Sequence, residues 1–270
     1  MKSGATWIGA WLVAASLGAD SPPPAATPVH HPEGLVHGFL SLSTLEGETL
    51  ASGDLIQHTK GNQVTSRLVF EFKDGSSHDE TAVFTQGRTF RLRSYKLVQK
   101  GPRFERPMHV TIDGGNGRVT VRHRDQDGAE KTETETIQVP PDLANGMVPI
   151  LLKNVTPAAP PTMSFVAATP KPRLVKLEAA SAGEEPFVVA GDTRKATHYV
   201  VKVKIGGVTG LLADLLGKEP PDTHVWILGG EAPAFVKSEG PLYVGGPLWR
   251  IELTGPVWSN PRTNSARAGS

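Results

Sequence analysis

Several short stretches of this chain carry side chains that could do chemistry, provided their spacing lets them converge. Gly75-Ser76-Ser77-His78-Asp79 sets Ser, His and Asp side by side. A hydrolytic triad draws its members from separated positions and holds the His between the other two. Adjacent residues in extended chain point in alternating directions, and the Gly-x-Ser-x-Gly strand-to-helix elbow is missing. This stretch reads as a polar hairpin turn. His30, His31, Glu33 and His37 are metal-binding types, but zinc needs ligands held in fixed geometry, and these lie in or beside a Pro- and His-rich segment. His109, His123, His198 and His224 stand singly along predicted strands, where a strand-surface or core-edge role is the default.

Acidic and Gly-rich turns are the remaining candidates. Asp125-Gln126-Asp127-Gly128-Ala129-Glu130 holds a fragment of a Ca²⁺ loop but lacks the rest of its ligand series, and reads as a turn. Gly206-Gly207-Val208-Thr209-Gly210 leads from strand toward helix as phosphate loops do, without the Lys-Ser/Thr ending. Asn154-Val155-Thr156 is a formal glycosylation sequon followed directly by Pro157, and is set aside. No catalytic residue, cofactor site or metal site is expected. A hydrolase is the rival class, and it requires carboxylates such as Glu71, Glu80 or Glu133 to meet a His drawn from another strand.

The elements that would position these residues are mostly strands. Val64, Leu68, Phe70 and Phe72 alternate with Arg67, Glu71 and Lys73, which is the period of a half-buried strand ended by Asp74-Gly75. Thr81 to Thr85 and Arg88 to Val98 form the next pair, with Phe90 and Leu92 alternating against Thr89, Arg91 and Arg93. Met108 to Asp113, Arg118 to Arg124 and Lys131 to Val139 follow, joined by Gly-rich turns into an antiparallel meander. The third of these strands opens with Thr on one face and Lys131, Glu133 and Glu135 on the other. It is expected as a wet hairpin end, with a polar recognition strip as the alternative.

Pro140-Pro141-Asp142 interrupts the meander, with Asp142 placed to cap a short helix through Leu152. Thr156 to Pro161 is a connector, and strands resume at Met163 to Ala168, Arg173 to Ala179 and His198 to Ile205. A second short helix is expected over Val208 to Leu216, with Leu211, Leu212, Leu215 and Leu216 on one apolar stripe. That stripe either plugs the open face of a curled sheet or helps enclose an apolar cavity for a lipid-like ligand. Strands at Thr223 to Leu228, Ala234 to Lys237 and Trp249 to Leu253 close the chain.

The start of the chain bears on compartment. A short basic opening, an apolar run from Trp7 to Leu17, small residues at Ser16, Gly18 and Ala19 and a Pro-rich sequel have the order of a secretory signal peptide over 1–19. The run is shorter than the roughly 20 apolar residues of a membrane-spanning helix. A flexible leader is expected over 20–36, a β-rich domain over 37–256 with halves near 37–155 and 162–256, and a disordered tail over 257–270. The absence of Cys excludes disulfides and thiol chemistry and, beside an export signal, favours a bacterium. A net charge of +1 offers no footprint for nucleic acid. A periplasmic or secreted protein with no membrane span after cleavage is expected.

Two blocks carry a resemblance. Thr134 to Gly146 resembles the mid-chain segment of uncharacterised exported bacterial proteins, and Lys195 to Lys202 with Trp226-Ile227 and Pro233 to Lys237 is similar to their C-terminal part. The resemblance spans about residues 40 to 255 and is to a family of unknown function. It implies a mainly β fold, a curled antiparallel sheet or partly open barrel with one or two short helices packed on the concave side. That shape is also similar to the periplasmic lipoprotein carriers. The resemblance assigns no functional residue. A non-enzymatic protein that binds an apolar or amphipathic ligand or an envelope partner is the expected function, with a cell-envelope hydrolase and a structural envelope protein as alternatives.

Overall fold

Fourteen strands make up almost all the regular structure of the computed structural model, which describes residues 25–125, 127–159, 161–189, 192–204 and 220–254. The first eight are β1 (Val36–Thr44), β2 (Thr49–Lys60), β3 (Gln63–Phe72), β4 (Ser77–Gln86), β5 (Phe90–Lys100), β6 (Met108–Asp113), β7 (Arg118–Arg124) and β8 (Glu130–Thr136). After a five-residue helix, α1 (Val148–Leu152), come β9 (Thr162–Ala167), β10 (Arg173–Val189), β11 (Asp192–Lys204), β12 (Thr223–Leu228), β13 (Ala234–Pro241) and β14 (Leu248–Thr254).

All fourteen form one antiparallel sheet in the order β8-β7-β6-β5-β4-β3-β2-β1-β14-β13-β12-β11-β10-β9. Each half is a meander in which every strand pairs with its neighbour in sequence. The halves are sewn together where β1 lies against β14, with Leu40 opposite Leu253 and Leu42 opposite Ile251. The outer strands β8 and β9 are the two free edges, so the sheet curls without closing. β8 is exposed along nearly its whole length and is rich in charge, a composition that discourages edge-to-edge pairing.

The segment from Ile137 to Pro161 passes from the edge at β8 to the edge at β9 and fills the concave side on the way. Leu143, Met147, Ile150, Leu151 and Leu152 are buried in a core that draws on β3–β7 and on β9–β12. The approach is close at Gly146. Its φ is +69°, and a Cβ there would lie 2.8 Å from the Cβ of Ala82 on β4. A second cluster, with Leu40, Leu42, Phe70, Phe72, Phe104 and Trp249, packs the inside at β1–β3 and β14. Gly53 belongs to this region, because a Cβ there would meet the Phe70 ring at 2.5 Å.

Several expectations change. Asp142 does not cap a helix. Its carboxylate accepts from Ser164 Oγ at 2.6 Å and from Lys176 Nζ at 2.9 Å, and it ties the connector to β9 and β10. Helix α1 begins only at Val148, with no side-chain cap and with Pro149 in its first turn. The leader is pinned over residues 27–33. Thr27 O accepts from Phe90 N at 3.0 Å, Val29 N donates to Arg88 O at 3.1 Å, and Glu33 forms an ion pair with Lys153 at 2.6 Å. Strands β1 and β2 were not anticipated, and the β10–β11 hairpin is longer than the alternation of its apolar residues suggests. The signal segment, the stripe of Leu211, Leu212, Leu215 and Leu216, and the C-terminal tail lie outside the described residues.

Candidate functional site

The inward faces of the strands determine what the curled sheet encloses. Along β2, Leu55 and Gln57 point in. Ser66 and Leu68 follow on β3, His78, Glu80 and Ala82 on β4, and Tyr95, Leu97 and Gln99 on β5. The pairing register aligns them into rows, with Gln57 opposite Ser66, Leu55 opposite Leu68, Glu80 opposite Leu97 and His78 opposite Gln99. The second meander faces them with Val175 and Leu177 of β10, Val201 and Val203 of β11, and Val225 of β12. Between these walls, beside Val148, Pro149 and Ile150 of α1, lies a cavity of about 720 Å³. That is within the ~300–1,000 Å³ of ordinary small-molecule sites. Leu242 and Tyr243 of the β13–β14 loop also line it.

The lining is mostly apolar. β2–β5 supply Gln57, Ser66, His78, Glu80, Tyr95 and Gln99, and Asn145, Lys153, Thr169, Thr223, Ser238 and Tyr243 add polar groups from elsewhere. Tyr95 Oη donates to Glu80 Oε1 at 2.7 Å. Burial pushes the Glu80 carboxyl above its ordinary range, with the Tyr95 hydrogen bond opposing. Burial likewise raises the Tyr95 phenol well above 10, and the neighbouring Glu80 adds to that. Gln57 Nε2 donates to Ser66 Oγ at 3.4 Å. Lys153 reaches the cavity wall from the connector, but its ammonium is already committed to Glu33.

His78 and Gln99 form the deepest polar pair, each only 2% exposed. Gln99 Nε2 lies 3.1 Å from Leu242 O and 3.0 Å from His78 Nδ1. The Leu242 carbonyl can only accept, so it orients the Gln99 amide with NH₂ toward it. The same NH₂ then donates to His78 Nδ1, which makes Nδ1 the acceptor and leaves the ring proton on Nε2. Desolvation lowers the His78 pKa to about 4, so the ring is neutral near neutral pH. Neither His78 Nε2 nor Gln99 Oε1 finds a partner among the described residues.

The residues singled out in the sequence are dispersed. Ser76 and Ser77 are buried, and Ser76 Oγ accepts from Arg103 N at 2.9 Å. Asp79 points away from His78 and takes Arg67 in two hydrogen bonds of 3.0 and 2.7 Å. No triad forms there. The polar-turn reading also needs correction, because the turn ends at Ser76 and His78 stands inside β4, turned toward the cavity. His30 and His31 give their backbone N–H groups to Asn154 Oδ1 at 2.8 and 2.7 Å, while His37 pairs with Asp54 at 2.7 Å. The four candidate metal ligands therefore do not converge. Asp125 N donates to Ala129 O in the β7–β8 turn, and the Asp125 carboxylate takes the Lys131 ammonium. Glu71 and Glu133 are exposed on the outside, so of the three candidate carboxylates only Glu80 faces the interior. The side chain of Asn154 is buried in its hydrogen bonds to residues 30, 31 and 150, in line with setting the sequon aside.

No protein-family model and no curated protein matches the chain. Among solved structures, it is similar to a β-barrel-like protein of the domain of unknown function DUF1849 from Brucella abortus. That match has a TM-score of 0.48 and 8% identity over 85% of this chain and 100% of that one.

Proposed function

We propose that this is a non-enzymatic exported protein of the bacterial envelope that holds an amphipathic small molecule inside its sheet. The observation that carries the reading is the cavity of about 720 Å³, mostly apolar in its lining, with a row of polar groups on β2–β5. Each CH₂ moved from water into such a site contributes about 0.8 kcal/mol, so a dodecyl chain supplies useful affinity with few polar contacts. Binding without catalysis is favoured because the inward polar groups are hydrogen-bonded in pairs across neighbouring strands, with no nucleophile set against a base. Export rests on the order of residues 1–24.

The test uses delipidated full-length mature protein and the neutral, polarity-sensitive dye N-phenylnaphthylamine. Saturable one-site fluorescence enhancement, abolished when Leu177→Trp fills the cavity, is the expected result. Enhancement that survives Leu177→Trp would place the dye elsewhere and sink the reading. A rival occupant is the chain's own leucine stripe. If replacing Leu211, Leu212, Leu215 and Leu216 with Ser is required before any dye enters, the cavity is a plugged core and not a ligand site.

A further inference from the structure

Glu80 is the one acidic side chain that lines the cavity, and it bears on which amphiphile fits, an inference that rests on the cavity being a ligand site. On β4 it stands between Leu68 of β3 and Leu97 of β5, with Ala82 next on the same face. Its Oε1 accepts from Tyr95 Oη at 2.7 Å. Its Oε2 has no hydrogen-bond partner among the described residues and, unlike His78 Nε2 and Gln99 Oε1, is open to a water-sized molecule. Glu80 is half-buried in the middle of an inward row, so the surface it keeps is surface of the cavity. No cation answers it. Burial and the Tyr95 hydroxyl act on its carboxyl, with no basic group beside them. Lys153, the one lysine on the wall, is committed to Glu33 at 2.6 Å. The other titratable groups of the wall are His78, kept neutral by burial, and the phenols Tyr95 and Tyr243. Buried carboxylates are ordinarily paired with a cation, and this one faces an apolar space without one.

We infer that Glu80 is the head-group subsite of the cavity and that it selects a cationic amine, so that the favoured ligand is an amine with an apolar tail. The ammonium donates to Oε2 while Tyr95 continues to hold Oε1, and the tail lies against Val175, Leu177, Val201 and Val203 of the facing meander. Opposite charges attract far more strongly in such a low-dielectric space than in water. Where the carboxyl holds a proton in the empty cavity, a neutral amine takes that proton and the same ion pair results. An alcohol can donate to Oε2 but leaves its charge unanswered. A carboxylate brings a second negative charge beside the first, with no free cation on the wall to neutralise it. A bare metal ion lacks ligands, because among the described residues no three His, Asp or Glu side chains gather where they could hold one.

Competition against bound N-phenylnaphthylamine tests this with three ligands of one chain length, dodecylammonium, dodecanol and dodecanoate, below their micellar concentrations at pH 7.5. Dodecylammonium is expected to displace the dye at concentrations at least about tenfold lower than dodecanol, the scale of one charge-assisted hydrogen bond, with dodecanoate weakest. Glu80→Gln keeps the shape of the side chain and removes its charge. In that variant the ratio between dodecylammonium and dodecanol is expected to fall toward unity, while dodecanol itself displaces the dye as it does from the wild-type protein, which shows that the variant's cavity is intact. Equal potency of the three heads in the wild-type protein would overturn the subsite, as would a preference for dodecanol or dodecanoate, and neither result depends on whether a variant folds. A dodecylammonium preference that survives Glu80→Gln would overturn it too. Failure of the dye to enter at all would overturn the cavity reading itself, and the subsite with it.

Discussion

The two meanders differ in how many polar side chains they turn inward. In β2–β5 the inward-facing residues include Gln57, Ser66, His78, Glu80 and Gln99, bonded across neighbouring strands, with His78 Nε2 and Gln99 Oε1 left without a partner among the described residues. In β10–β14 the inward face is mainly apolar, with Thr223 and Ser238 as its polar members, and a linked polar cluster lies outside. There Trp226 is stacked on His198 at 4.3 Å and covered by Lys237 at 3.7 Å. Glu185 takes both Trp226 Nε1 and His198 Nδ1, and Glu239 takes Arg250 Nε at 2.8 Å. The outer arrangement is closed, with each named group answered by another in the same row. The inner one is open. Polar groups that complete one another stabilise a sheet, whereas polar groups left incomplete around an apolar space cost stability and imply that something else completes them.

That contrast can be broken in five places. The largest effect is expected at the clamp linking the leader to the connector. Lys153→Met leaves Glu33, whose side chain is 3% exposed, buried without its partner, and should cost about 3–5 kcal/mol in urea unfolding. A loss below about 1 kcal/mol would mean that the pair is solvated. Next is His78. Its folded pKa of about 4 lies below the ordinary 6.5, so its neutral form is favoured by folding, and that contribution is present above pH 6.5 and lost as pH falls toward 4. About 3 kcal/mol should disappear over that window, and His78→Leu should flatten the acid limb. Glu80 works in the other sense. Its carboxyl is raised by burial, so its contribution is present at low pH and lost as pH rises through the raised value, and Glu80→Gln should remove that loss. Similar pH profiles for wild type and both variants would erase the distinction between the walls.

On the outer face the effects should be smaller. Lys237→Met removes a cation from the face of Trp226 and should cost about 1 kcal/mol, with loss of the Trp226 fluorescence response to pH or salt as a second sign. Least of all, Arg124→Ala at the β8 edge should change stability by under about 0.5 kcal/mol. The Arg124–Glu130 contact is 3.9 Å long between two exposed side chains. A larger loss there would make the β8 edge something more than a wet hairpin end.

Much of the fold was legible because alternation is strong where one face is buried. The strands at 63–72, 108–113, 118–124 and 223–228 lie where period two places them. Strands β1 and β2 escaped because Gly38 and Gly53 dilute the pattern, and Gly53 is there to admit the Phe70 ring. The cavity wall was harder to read. In β5 a register shift opposite Val83 and Phe84 changes the inward set from Phe90 and Leu92 to Tyr95, Leu97 and Gln99. Alternation counted from Phe90 therefore sends Gln99 outward. His78 reads as a turn residue because its flanks, Ser76, Ser77 and Asp79, are turn-forming types. A usable signal did exist, since Glu80 and His78 share a strand face with Ala82 and Phe84 and polar residues on such a face mark a lined space. Which strands would face them across the cavity depends on the β1–β14 seam, a pairing between the chain's two ends that local pattern does not encode.

The central claim, that the open polar wall and the apolar wall enclose a ligand site, is tested most directly by the anomalous scattering of a bromine-tipped dodecanol bound to the crystalline protein. The account predicts one bromine peak inside the cavity, among Val201, Leu177 and the other lining residues. Bromine found only on the outer surface, or a cavity filled by the protein's own side chains, would contradict it.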